Sequence, residues 1–405
     1  MSQIDNPTLS ASVETVSSYL ETAFTSVKAA TRFLENTFLN APITIQIAMV
    51  FIIIAIVTTA LAYISILRNR YRGYRTDKKL ARLCPRIDNL LIDEVLSHPS
   101  LQQHVPPDEI QLNIAPFEQL PLHRRWARQA LTGRIIHFRR NVRGNIGLLL
   151  RNLYMQLDLD NDTLKKLKSR HWEKKVQALT ELTSLDMFIS DVTILPMTND
   201  RNRELRAAAR HAYIKLSKNE PFKFFDIAKE PLLMWDQVEL FRTITSTENI
   251  AIPNFARWII YSGNKSVISF CLKLVVYYNQ HNAVPAILRL LETKDHYLRA
   301  DAINCLGKLR ARIAEDKLVA LYSHQPIPCQ IEILKALGRI GSGEHVEFLK
   351  TEFLHATDFD LRKHAAKSLV RNQWVSDHPG DELLSSVSQE NLRILRHCMN
   401  PLIKY

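Results

Sequence analysis

Glycine is scarce in this sequence, with 10 in 405 residues. Phosphate-cradling loops, dinucleotide-binding turns and tight hairpins all lean on glycine for positive φ. The scarcity therefore points to helices joined by short turns. Cysteine is sparse as well. The five present (Cys84, Cys271, Cys305, Cys329 and Cys398) are odd in number, widely spaced and never in a CxxC pair. Neither a zinc site nor a disulfide framework is suggested, and a reducing compartment fits. No HExxH, GxSxG, GxxxxGKS/T or GxGxxG pattern occurs. Gly338-Arg-Ile-Gly341-Ser-Gly343 has the look of a phosphate loop, but no strand precedes it, so it reads as a turn between helices. The 14 histidines are scattered and the carboxylates are not clustered along the chain. Accordingly no catalytic residue, no cofactor-binding residue and no metal ligand is expected. With 46% apolar residues there is ample material for a buried core.

Charge is missing altogether from one stretch. Ile43 to Leu67 is a run of 25 residues without a charged side chain. As a helix it would extend about 37 Å at 1.5 Å per residue, enough to cross a hydrocarbon core of about 30 Å. Residues 68–86 follow with Arg68, Arg70, Arg72, Arg75, Lys78, Lys79, Arg82 and Arg86 against Asp77, a net of 8 − 1 = +7. The 42 residues before the run hold Lys28 and Arg32 against Asp5, Glu14, Glu21 and Glu35, a net of −2. By the positive-inside rule the C-terminal body is expected in the cytoplasm and the N-terminus outside. Ala60-Leu61-Ala62 mimics a signal-peptidase site, but the run is too long, starts too late and lacks a basic leader. A retained single-pass anchor at the inner (plasma) membrane is expected. Ahead of it, Val13, Val16, Leu20, Phe24, Val27 and Phe38 recur at helical spacing, as in an amphipathic helix over residues 1–41.

Basic residues are absent again from 87–123, where six acids and Pro99, Pro106, Pro107, Pro116 and Pro121 suggest a linker. The sign then reverses. Residues 124–175 hold fourteen Lys/Arg, among them Arg124, Arg125, Arg128, Arg134, Arg139, Arg140 and Arg143, against four acids, a net of +10. Beside a merely solvated face, these residues suit anionic headgroups or an acidic partner. With Trp126, His137, Phe138 and Tyr154 nearby, nucleic acid is a rival. The membrane tether and the lack of a base-binding constellation speak against it.

The remainder is repetitive. Arg299, Ala302, Ile303, Leu306 and Gly307 are followed 31 residues on by Gln330, Ile333, Leu334, Leu337 and Gly338, and 32 further by Arg362, Ala365, Ala366 and Leu369. Backward steps of 31 give Ile268, Cys271, Leu272 and Val275, then Gln237, Leu240, Phe241 and Ile244. Arg206, Ala209, Arg210 and Tyr213 come next, and Lys175, Ala178, Leu179 and Leu182 last. Counted from the first residue of each set, positions +3, +4 and +7 share one helix face and form a packing stripe. A small residue at +3 permits close approach, and glycine at +8 suits a left-handed helix end. A second helix is expected in each period, with Val284, Ile287, Leu288 and Leu291 matched by Leu318, Val319 and Tyr322 and by Val346, Leu349 and Phe353. No single pair buries its own apolar face, so stacking must supply the core.

The pattern from Asp295 to Gly307 (D-x-x-L-R-x-x-A-x-x-x-L-G), repeated from Asp358 to Leu369, resembles the short bacterial HEAT-like repeat, including its lyase-type members. With the anchor, the whole resembles bacterial membrane-anchored HEAT-repeat proteins. The resemblance implies an all-α fold with one transmembrane helix and an α-solenoid of about seven helix-pair repeats over 171–375, capped by 376–405. It also implies a structural role for Arg206, Arg299 and Arg362, each meeting the preceding aspartate. The basic region is placed at 124–170, the span at 42–67, and the juxtamembrane segment and linker at 68–123. The expected function is a scaffold holding a protein partner at the membrane, with no catalysis of its own. The alternative is an enzyme, lyase-type or a nucleic-acid glycosylase, using a concave-face pocket.

Overall fold

The apolar stripes read above bind successive helices together, and their burial sets the architecture. The computed structural model describes residues 42–98, 110, 112–142, 144–372, 387–400 and 402. The amphipathic segment over 1–41, Arg143 and part of the expected cap lie outside the described residues. Every regular element among the described residues is a helix. Contacts divide the chain into two units, Met1–Asp88 and Asn89–Tyr405.

The first unit is described from α1, Ile43–Leu91, a helix of 49 residues that takes in the uncharged run and the basic tract alike. It is the one described helix long and apolar enough to cross a membrane, and none of its apolar window is buried. Thr58 and Thr59 return their hydroxyls to the carbonyls of Ile54 (2.9 Å) and Ala55 (2.7 Å) one turn back. Their polarity is thereby absorbed within the helix, as an apolar surrounding demands.

In the second unit we number the helices of seven residues or more. The basic region supplies α2 (Arg125–Asn141), α3 (Asn145–Gln156) and α4 (Leu159–Leu167). Then follow α5 (Trp172–Ser184), α6 (Arg203–Leu216), α7 (Met234–Ser246), α8 (Lys265–Tyr277), α9 (Val284–Leu290) and α10 (His296–Lys308). The chain continues with α11 (Glu315–Leu321), α12 (Ile327–Ile340), α13 (Val346–His355), α14 (Phe359–Arg371) and α15 (Gln389–Met399). The helices α5, α6, α7, α8, α10, α12 and α14 begin at 172, 203, 234, 265, 296, 327 and 359, so the period survives even in the middle repeats. These are the first helices of seven repeats. Their stripes are buried: Ala178, Ala209, Cys271, Ala302, Ile333 and Ala365 at +3, and Leu182, Tyr213, Ile244, Val275, Leu306, Leu337 and Leu369 at +7. Each such side chain removed from water contributes about 1.5–3 kcal/mol where it is as large as leucine.

Two expectations are corrected. The second helix is well formed only in the later repeats, as α9, α11 and α13. In the first three it shrinks to Asp191–Ile194 with a 3-10 turn, Phe224–Ile227 and Ala256–Tyr261. Pro196, Pro221, Pro231 and Pro253 fall in these connections, where a missing N–H interrupts helix growth. The glycines at +8 do not end helices. Gly307 and Gly338 lie inside α10 and α12, pressed against the next repeat. A Cβ on Gly307 would come within 2.6 Å of Ala336 Cα, and one on Gly338 within 2.8 Å of Ser368 Cα. Left-handed residues do terminate first helices, but three positions or so further on, at Asp186, Asn249, Asn279, Arg310 and Gly341. There Met187 N, Gln280 N and Ala311 N donate back to Leu182 O (3.0 Å), Val275 O (3.0 Å) and Leu306 O (3.1 Å), the bond of a Schellman end.

Candidate functional site

The basic region is not one uniform patch. Arg128 of α2 pairs with Asp162 of α4 and also donates to Asp158 O. Arg139 pairs with Asp186 at 2.7 Å and reaches Val142 O at 3.3 Å. Arg134 lies over Phe138, 5.7 Å from its centroid, and Arg140 reaches Ser184 Oγ at 3.5 Å. Arg124, Arg125 and Arg140 are exposed. A recess of about 470 Å³ beside Arg125 and Arg128 is also lined by Lys165, Lys166 and Lys174. Behind it sits a buried polar network. Glu181, 3% exposed, accepts from Thr163 Oγ1 (2.6 Å), Lys166 Nζ (2.8 Å), Gln129 Nε2 (2.9 Å) and Gln177 Nε2 (3.0 Å). Tyr154 joins through Thr163 at 2.6 Å, and burial pushes its phenol well above the usual range. Satisfied in this way, the carboxylate ties α2, α3 and α4 to the first repeat.

Along the first helices runs a groove in two adjoining parts. One part, about 800 Å³, is lined from the end of α2 across α5, α6 and α7, with Arg140, Thr180, Glu204, His211, Lys215 and Arg242 among its walls. Its floor includes an imidazole that stays neutral. His211 is hydrogen-bonded through Nδ1 to Thr243 Oγ1 at 2.8 Å, and burial, with Lys215 and Arg242 adding positive charge, lowers it to about 4. The other part, about 550 Å³, lies across α7, α8 and α10 and is mainly apolar. Met234 is 70% exposed, Val238 50% and Tyr277 55%, and Phe241 meets Tyr277 edge-on at 4.8 Å. Lys273 and Lys308 border it, the former donating to Gln237 Oε1 at 2.8 Å. Together the two parts carry six Lys/Arg (Arg139, Arg140, Lys215, Arg242, Lys273, Lys308) against four acids (Asp186, Glu204, Glu239, Asp301), a net of 6 − 4 = +2.

The apolar part opens at one step of the repeat stack. Successive first helices pack closely everywhere except between α7 and α8. Leu240 and Phe241 fill the +3 and +4 positions of α7, where α6 carries Ala209 at +3, and Phe270 crowds α8. Phe222, Phe225, Phe255 and Trp258 form a buried ring cluster that reaches Phe270 of α8, with centroids 5.3 Å apart in Phe222–Phe255, 6.3 Å in Phe222–Trp258 and 6.0 Å in Phe225–Phe270. None of the groove's apolar residues is among the candidates drawn from the sequence. The legible signal was apolar residues at outward positions of α7, where Met234, Trp235 and Val238 stand at −3, −2 and +1 of the repeat.

The repeat arginines occupy equivalent places, but their hydrogen bonds do not go to the carboxylate of a preceding aspartate. Arg206 Nη1 donates to Asp200 O (2.7 Å) and Arg201 O (3.3 Å), and Arg299 Nη1 to Thr293 O (2.6 Å). Arg362 instead reaches Glu390 (2.9 Å) and Asn391 Oδ1 (3.1 Å) of α15. The aspartates are engaged elsewhere. Asp295 accepts from Tyr297 N and Leu298 N and binds Lys265 of the preceding repeat at 2.7 Å, and Asp358 caps α14. Capping satisfies otherwise orphaned amides at the helix start, which directs the carboxylate away from the arginine. Cys271, Cys305 and Cys329 are buried free thiols; burial raises Cys305 to about 12.

No protein-family model matches the sequence, and no curated protein matches it. Among solved structures, similarity is found to the complex of CpcE and CpcF of phycocyanin lyase from Nostoc sp. PCC7120. Identity is 16% and the TM-score 0.29, over 52% of this chain and 74% of that one. An engineered protein matches with 13% identity and a TM-score of 0.28, over 67% of this chain and 80% of that one. Neither likeness is evidence of shared function. The expectation that the chain has no catalysis of its own is nonetheless corrected. One of the solved structures found is of a lyase complex, and a fold does not by itself exclude catalysis.

Proposed function

We propose that this chain is a membrane-anchored, HEAT-like helical-repeat scaffold that holds a protein partner along the groove of its first helices. The observation that carries the reading is the exposed apolar lining of the groove between α7 and α8, bordered by Lys273 and Lys308. Exposed apolar surface rimmed by charge marks an interaction surface on a soluble domain. The partner segment that fits has an aliphatic or aromatic anchor flanked by acidic residues, because the lining carries a net positive charge. Anchoring is assigned to Ile43–Leu67 of α1, and orientation to the basic tract that follows, with the repeats in the cytoplasm. Cytoplasmic and exported reporters fused after Tyr405 check the orientation; activity from the exported one alone would reverse it.

The groove is tested by purifying wild-type and Val238→Asp proteins from detergent-solubilised native membranes. Val238 is half exposed, so the substitution should leave folding intact. The expected result is a protein recovered with the wild type and depleted at least tenfold with the variant, with unchanged thermal stability. Equal recovery with both would exclude this groove as the docking surface. A lyase-type enzyme would use the same recess, where Asp301, Lys273 and Lys308 stand beside apolar walls. A small molecule carried by the purified chain in native mass spectrometry, lost in the same variant, would favour that reading.

A further inference from the structure

The turn after α12 assembles a side-chain cluster that shares no residue with the groove. Gly341 (φ +67°) and Gly343 (φ +81°) reverse the chain there and bring Glu344 and His345 to Glu315, the first residue of α11 in the preceding repeat. One ligand atom from each of the three lies within 4.8 Å of the others. The sequence separates Glu315 from this pair by about thirty residues, so no ligand spacing could show it.

Glu315 supplies the second, independent observation. It is 2% exposed and has no ion-pair partner among the described residues. Its Oε2 accepts from Ser342 Oγ, whereas its Oε1 is buried without a hydrogen-bond partner. A carboxylate taken out of water in this way is costly unless a cation or further donors meet it. His345 is oriented by a carboxylate, with Nε2 3.1 Å from Asp316 Oδ1, as metal-bound imidazoles commonly are. The turn is held by Glu344 N to Ser342 Oγ (3.1 Å) and Gly343 N to Asn372 Oδ1 (3.1 Å).

We propose that Glu315, Glu344 and His345 bind a divalent transition metal of the zinc or manganese class, clamping the fifth repeat to the sixth. Two carboxylates and one imidazole suit such borderline ions, whereas calcium and magnesium favour shells made wholly of oxygen. The ion would meet the buried negative charge of Glu315 and tie the start of α11 to the turn before α13. The inference stands apart from the scaffold reading, since none of these residues lines the groove.

The test uses the full chain without a polyhistidine tag, purified in detergent, stripped with chelator and titrated calorimetrically with Zn²⁺ and with Mn²⁺. One ion per chain is expected for at least one of the two, with a thermal midpoint raised by the metal and returned by chelator. Glu315→Gln and His345→Gln should each weaken binding tenfold or more, while Glu347→Gln, two residues beyond His345 and exposed, should leave it unchanged. Should Glu315→Gln fail to fold, His345→Gln and Glu344→Gln sit on the surface side of the cluster and decide alone. No saturable binding by the wild type, or binding equal in His345→Gln, would overturn the assignment.

Discussion

Gly338 and Ser368 show how single residues set the distance between repeats. A Cβ on Gly338 would stand 2.3 Å from Ser368 Oγ and 2.8 Å from its Cα, with backbone unable to yield. Gly338→Ala should therefore destabilise the chain by about 1–3 kcal/mol through overpacking. Gly133, inside α2, meets nothing within 4 Å, so Gly133→Ala should leave stability unchanged or raise it, by up to about 1 kcal/mol. Denaturant unfolding of the two variants checks the contrast; equal destabilisation would mean that the close approach is not what the glycine is for. His211 carries a pH signature. Its folded value, about 4, lies below the ordinary 6.5, and the charges that bear on it, Lys215 and Arg242, are both positive. Between those two values the unfolded chain binds the extra proton, so stability falls as pH is lowered from about 6.5 towards 4. His364, also lowered to about 4 by burial, adds to the same limb. Replacing both with glutamine should flatten that slope in pH-dependent melts, and an unchanged slope would assign the acid sensitivity elsewhere.

Helices and turns were unequally legible. The 31-residue period and the +3, +4 and +7 stripes could be read directly, because burial on one helix face imposes a spacing that no other element shares. The role of the +8 glycine could not. Left-handed ends and close helix contacts both select glycine, and only the neighbouring helix tells them apart. The left-handed position is instead held by Asp186, Asn249, Asn279 and Gly341, of types that tolerate it, and by Arg310, which carries no such mark. Nor could the partners of Arg206 and Arg299 be read, since a backbone carbonyl leaves no trace in the residue pattern. The basic region was visible as charge, but its division was hidden. Arg128 and Arg139 are neutralised by Asp162 and Asp186, which lie 34 and 47 residues away. From that division it follows that replacing Arg124, Arg125 and Arg140 together with glutamate should leave thermal stability nearly unchanged. If this face meets lipid, co-sedimentation of Asn89–Tyr405 with anionic vesicles should be lost in that variant. Binding that is indifferent to lipid charge, in either protein, would remove lipid as the ligand of this face.

Over the whole molecule, irregularity and the proposed docking site coincide. The repeats that depart furthest from the pattern are those of α7 and α8, and it is there that the first helices pack least closely and leave Met234, Val238 and Tyr277 in the open. A sequence reading registers that stretch as degenerate; the fold makes it the groove. An anchor would keep such a surface near a bilayer, where a membrane-associated partner is concentrated. The most direct test places a photo-crosslinking amino acid in turn at Val238, at Tyr277 and at Glu220, an exposed residue that lines neither part of the groove, in the full chain inside living cells. The account predicts one adduct of the same mass at Val238 and Tyr277, diminished when Lys273 and Lys308 are changed to glutamate, and none at Glu220. Equal labelling at all three positions, or none at the first two, would contradict it.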